Sequence, residues 1–80
     1  PAVPGADQAV EDRELERIMD RFLHTLPPRD CNVFLRRYWY AEPLEAIAKR
    51  YGMKVSTVKT CLYRSRGKLR YYLEGEGIFL

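Results

Sequence analysis

The chain has 80 residues, 46% of them hydrophobic and 31% charged, and a net charge of +3. That length fits one small domain, which buries only about 60% of its unfolded surface, and the composition is too apolar for a disordered chain. No apolar run approaches the roughly 18–20 residues of a membrane span, so no membrane partner is expected. The chain begins at Pro1 with neither an initiator Met nor an apolar signal segment, as expected of a piece of a longer protein. Cys31 and Cys61 make neither a disulfide framework nor a CxxC pair, and a single histidine, His24, cannot complete a zinc site. No metal or cofactor is expected, and a reducing cytoplasm is the simplest compartment.

Charge is unevenly placed. Residues 1–26 hold six acids against three bases, whereas 46–73 hold eight bases and no acid. An acid-free basic stretch is the footprint of a nucleic-acid or anionic-surface binder, although many such faces are merely solvated.

Residues 1–9 are small, polar and Pro/Gly-bearing, and read as a flexible arm or linker. From about Val10 the apolar spacing becomes helical, with Leu15, Ile18, Met19, Phe22 and Leu26 on one face. Pro27-Pro28 stops that helix, and Pro28 suits the first position of the next. The second helix is expected to reach about Tyr40, with Cys31, Val33, Phe34 and Tyr38 inward and Arg36-Arg37 toward solvent. After a break at Ala41–Pro43, Leu44, Ile47, Ala48 and Tyr51 mark a short third helix, closed by Gly52. Ser56 is the expected N-cap of a long last helix reaching about Glu74. Gly75–Leu80 is expected to fray, with 10–78 as the domain and 79–80 as its frayed tail. No alternating strand pattern interrupts this series. The expected fold is all-α, with four helices.

The stretch Leu44–Arg64 carries the functional signal. Counting from Leu44, a small residue (Ala48) stands fifth and glycine (Gly52) ninth, and Ile47, Tyr51, Met53, Val55, Val58 and Leu62 are apolar. A helix–turn–helix needs this pattern: the small residue lets two helices cross closely, glycine turns the chain, and the apolar positions join the pair. The second helix of the pair also lies inside the basic stretch. On a helical wheel, Val58, Leu62, Ser65, Leu69, Tyr72 and Leu73 share the core arc, while Ser56, Lys59, Thr60, Tyr63, Gly67 and Arg70 lie opposite. Only the first turns of a recognition helix normally enter the major groove. The expected DNA contacts are therefore Ser56, Thr57, Lys59, Thr60, Tyr63 and Arg64, with Arg66 and Lys54 as secondary phosphate contacts.

Taken together, Leu26-Pro27-Pro28-Arg29-Asp30, Phe34-Leu35-Arg36-Arg37-Tyr38, Ile47-Ala48, Tyr51-Gly52-Met53, Thr57-Val58-Lys59 and Leu62-Tyr63-Arg64-Ser65-Arg66 resemble a known family. It is the C-terminal domain of bacterial RNA polymerase sigma factors, of the extracytoplasmic-function type. The resemblance covers about Val10–Ile78. It implies a helical domain that recognises the −35 promoter element and docks on the β flap of RNA polymerase. It also implies DNA contact at Lys59, Thr60, Tyr63 and Arg64. Cys61 stands where the family usually has an arginine at the DNA boundary, Pro43 replaces a capping Ser/Thr, and Ala46 replaces a common glutamate.

Two alternatives come from other readings of the same residues. The LuxR-type output domain of response regulators shares Thr-Val-Lys and Lys-Leu, but usually carries a large apolar residue where Ser65 stands and ends its recognition helix soon after Lys-Leu. A protein-interaction module, with no DNA target of its own, would use the acidic first helix and an inward Trp39/Tyr40 region to bind a partner such as polymerase or an anti-sigma factor. Catalysis is not expected, because His24 stands alone, neither cysteine has an assignable base, and no Gly-rich phosphate loop follows a strand.

Overall fold

The computed structural model describes residues 11–79; the arm expected over 1–9, Val10 and Leu80 lie outside the described residues. Four helices follow in order: α1 (Asp12–Thr25), α2 (Pro28–Tyr38), α3 (Leu44–Tyr51) and α4 (Val55–Gly75). No strand occurs among the described residues.

Each boundary has a local cause. Asp12 and Glu14 place negative charge in the first turn of α1, against the positive end of its dipole. Leu26, extended at ψ 147°, ends α1 because the following Pro27 disfavours helical backbone. Pro28 opens α2, where its missing N–H costs nothing. At the end of α3, Gly52 adopts φ 62°, and the Met53 N–H reaches back to the Ala48 carbonyl at 2.8 Å. A similar cap closes α4: Gly77 sits at φ 83°, and the Ile78 N–H donates to the Leu73 carbonyl at 2.8 Å. That cap gives the chain a defined path through Ile78.

Two boundaries differ from expectation. The last helix begins at Val55 rather than after a Ser56 cap, with Lys54 in the N-cap position and no side-chain cap. Val55 packs against the core, so tertiary contact sets this start instead of a capping hydroxyl. The second helix stops at Tyr38, because the Trp39 and Tyr40 amides both bond to the Leu35 carbonyl and the chain then turns away. This turn places Ala41 at φ 55°, the one non-glycine residue with positive φ among the described residues. Left-handed backbone costs a Cβ-bearing residue about 1–2 kcal/mol, partly offset for glycine by its larger unfolded entropy. Ala41→Gly is therefore expected to stabilise the domain by about 0.5–1 kcal/mol. A lower urea midpoint for this variant would show that the turn is not strained.

Core packing forms two centres bridged by α4. Val33, Ile47, Ala48, Val58, Cys61 and Leu62 make the first, joining α2, α3 and the first half of α4. Phe22, Leu26 and Phe34 make the second, with Leu69 and Tyr72 of the second half of α4 packed on them. The Phe22 and Phe34 rings meet edge to face at 5.9 Å. Ser65, on the core arc as expected, is 2% exposed.

The end of α2 corrects three expectations. Tyr38, Trp39 and Tyr40 are exposed rather than inward, Trp39 by 79%. Tyr38 lays its ring against Phe34, 4.8 Å between centroids, but leaves its hydroxyl outside. Arg36 and Arg37 are half-buried rather than fully solvated. Arg36 covers the Tyr40 ring at 4.7 Å, and Arg37 donates to the Glu42 carbonyl at 3.0 Å.

Candidate nucleic-acid interface

The pair α3–α4 is joined by a short turn over Gly52–Lys54 and held by Ile47 and Ala48 against Val58 and Leu62. Burying Val58 and Leu62 fixes the rotation of α4 about its axis. The opposite face must then point outward. Ser56, Lys59, Thr60, Tyr63, Arg64, Arg66 and Lys54 are all exposed, while Thr57 is half-buried. Tyr63 is 72% exposed, far more than a packing tyrosine needs. Thr60 donates its hydroxyl to the Ser56 carbonyl at 3.0 Å, which leaves its oxygen as an acceptor.

The cations of this face have no carboxylate within ion-pair distance among the described residues. Five carboxylates of the described residues have cationic neighbours, none of them on this face: Glu14 with Arg17, Glu76 with Arg21, Asp20 with His24, Asp30 with Arg29, and Glu42 with Arg50. The Arg50 guanidinium donates to both Glu42 oxygens, at 2.7 and 3.3 Å, and holds that carboxyl below its usual range. Lys54, Lys59, Arg64 and Arg66 enter no ion pair among the described residues. Their charge is therefore available to an external anion.

Cys61 lies about 60° from Val58 on the helical wheel, at the edge of the core arc, and packs inward rather than toward the DNA boundary where the family's usual arginine stands. Cys61 is 3% exposed, and its thiol donates to Asp30 Oδ1 at 3.4 Å. An arginine here would meet Asp30 on α2 before it met a phosphate, so a Cys61→Arg change is not expected to add a DNA contact. Burial, reinforced by the hydrogen bond to Asp30, pushes the Cys61 thiol above its ordinary value of 9.0. The unfolded chain then loses this proton first, so the thiol's contribution to stability is full below its ordinary value of 9.0 and falls as pH rises beyond it. Urea midpoints are expected to drop between about pH 8 and pH 10 by more in this chain than in Cys61→Ala. Equal drops would show that the thiol titrates alike in both states.

Sequence reasoning missed two residues on α2. Arg37 and Tyr38 stand beside Lys59, Tyr63 and Arg66 around one recess, and Arg66 Nη1 donates to Tyr38 Oη at 2.5 Å. The partners of that bond are 28 residues apart, a separation at which periodicity within one helix gives no signal.

These features define a helix–turn–helix domain of the DNA-binding class, with α4 as the recognition helix. Comparison with known proteins narrows the class. The family model for sigma-70, region 4, matches residues 16–69. An RNA polymerase sigma-E factor of Streptomyces avermitilis is 28% identical over 74 residues, which cover 92% of this chain and 41% of that protein. The chain thus spans about two fifths of the length of that relative. No solved structure matches it significantly. The chain belongs to the sigma-70 region 4 family, whose members are parts of transcription initiation factors and not enzymes. Its α4 continues from Lys68-Leu69 to Gly75, beyond the end expected of a LuxR-type domain. No helix of the described residues is long and apolar enough to cross a membrane.

Proposed function

We propose that this chain is the promoter-recognising domain of an extracytoplasmic-function sigma factor, working in the cytoplasm. It enters the major groove at the −35 element with the first turns of α4. Lys59 and Arg64 reach phosphates or guanine edges, Ser56, Thr57 and Thr60 serve bases or phosphates, and Tyr63 packs on sugar or a thymine methyl. Lys54 and Arg66 hold flanking phosphates. The observation that carries this reading is the row of exposed cations on α4 that have no carboxylate partner.

Docking on the β flap of RNA polymerase is the second half of the proposal. It is supported by a groove between α1 and the end of α2, where Leu15, Met19, Leu23, Leu35 and Trp39 leave apolar surface beside Asp12, Glu16 and Asp20. An anti-sigma factor would compete for such a surface.

A titration of the 80-residue chain with duplexes carrying −35-type elements tests the DNA half. Binding is expected to be weak and to fall steeply with salt, by about 0.9 in log K per log salt for each phosphate neutralised. Salt-independent binding, or none, would leave a protein-interaction module as the better description.

A further inference from the structure

The groove beside α1 and the recess beside α4 share a wall. Phe34, Leu35, Tyr38 and Trp39 of the α2 end line the groove, while Arg37 and Tyr38 line the recess opposite Lys59 and Arg66. Among the described residues, Tyr38 is the one that lines both.

The two ends of Tyr38 face different helices. Its ring lies on Phe34, 4.8 Å between centroids, and Phe34 in turn meets Phe22 of α1 edge to face. Its hydroxyl accepts from Arg66 Nη1 of α4 at 2.5 Å. A row of three rings thus runs from the core, past the groove, to the flank of the recognition helix. The core end is fixed, since Phe22 is 1% exposed and Phe34 6%. Tyr38 is 49% exposed on the side toward solvent, so its ring keeps rotamer freedom that a fully packed tyrosine lacks.

We propose that Tyr38 couples the two surfaces: a partner seated in the groove tightens DNA binding by ordering Arg66 through the Tyr38 hydroxyl. The proposal rests on the promoter-binding and flap-docking readings above, and links them inside one domain. Its occupant is the β flap of that reading. The element that both surfaces bias has two arrangements. In one, the ring is seated on Phe34 with its hydroxyl on Arg66, as in the structure. In the other, the ring swings outward and Arg66 is released. A flap filling the groove covers the open side of the ring and favours the seated arrangement. One edge of the guanidinium is then anchored before DNA arrives, and its other N–H groups remain free to donate. The gain is that of one long side chain ordered in advance, about fivefold in affinity. Coupling of this kind is reciprocal, so DNA tightens flap binding by the same factor. Tyr38 acts as a positioning residue and needs no contact with DNA.

The test uses the 80-residue chain, a labelled duplex carrying a −35-type element, and a purified β-flap domain of RNA polymerase. Anisotropy gives duplex affinity with and without saturating flap, and calorimetry gives flap affinity with and without saturating duplex. In the parent both ratios are expected to be about five, and equal. Tyr38→Phe keeps a ring on Phe34 but lacks the hydroxyl, and is expected to bring both ratios to about one. Arg66→Gln is expected to do the same. Arg70→Ala removes a charge outside the recess and is expected to keep the parent's ratios. A thermal melt establishes that each variant folds. Loss of packing alone would lower a variant's melting temperature but leave its ratios unchanged. Parent ratios of one, with both probes bound, would overturn the coupling and leave the functional reading standing. Ratios near five in folded Tyr38→Phe would overturn the part given to Tyr38. A parent chain that binds no duplex, or no flap, would overturn that half of the functional reading and the coupling with it.

Discussion

Leu62→Ala is expected to remove about 2–5 kcal/mol of stability, the range for truncating a fully buried leucine. Leu62 is 2% exposed and sits in the core centre with Val33, Ile47, Ala48, Val58 and Cys61. Three helices meet there, so the cavity borders rigid backbone on every side and can collapse only partly. A domain of this size has little stability in reserve, and the loss is a large share of about 5–10 kcal/mol. The effect reaches function as well, because the same contact fixes how α4 presents Lys59 and Tyr63. Chemical denaturation of the variant measures it. An unchanged midpoint would mean that α3 and α4 are not held together through Leu62.

The largest expected effects on binding come from Lys59→Ala and Arg64→Ala. Each removes one unpaired cation from the first half of α4, and each is expected to weaken duplex binding about five- to tenfold at low salt while lowering the slope by about one unit. Arg70→Ala is the informative contrast. It removes the same charge from the same helix, but Arg70 lies eleven residues beyond Lys59, about 16 Å further along the axis at 1.5 Å per residue. A major groove about 12 Å wide admits only the leading turns, so this variant is expected to bind almost as the parent does. Three equal losses in a salt titration would point to a diffuse basic face instead of a seated recognition helix.

The four helices, the close crossing at Ala48 and the turn at Gly52 were legible because each is a local property. Apolar spacing at 3.6 residues, prolines that lack an N–H, and a glycine free to adopt φ 62° act within a few neighbours. The exposed face of α4 was legible for a related reason. Once Val58, Leu62 and Ser65 are known to face inward, helix geometry alone turns Lys59, Tyr63 and Arg64 outward.

Tertiary structure decided what depends on residues far apart in the chain. Helix geometry puts Cys61 about 60° from Val58, and only the approach of α2 carries Asp30 to its thiol and buries it. Ser56 had the chemistry of a cap, yet Val55 packing on the core started the helix earlier. Tyr38, Trp39 and Tyr40 had the composition of core residues. The early end of α2 leaves them outside, because an aromatic ring is buried only where another element covers it. Arg66 and Tyr38 show the same limit at the interface: each helix's pattern states which way its side chains face, but not which helix stands opposite.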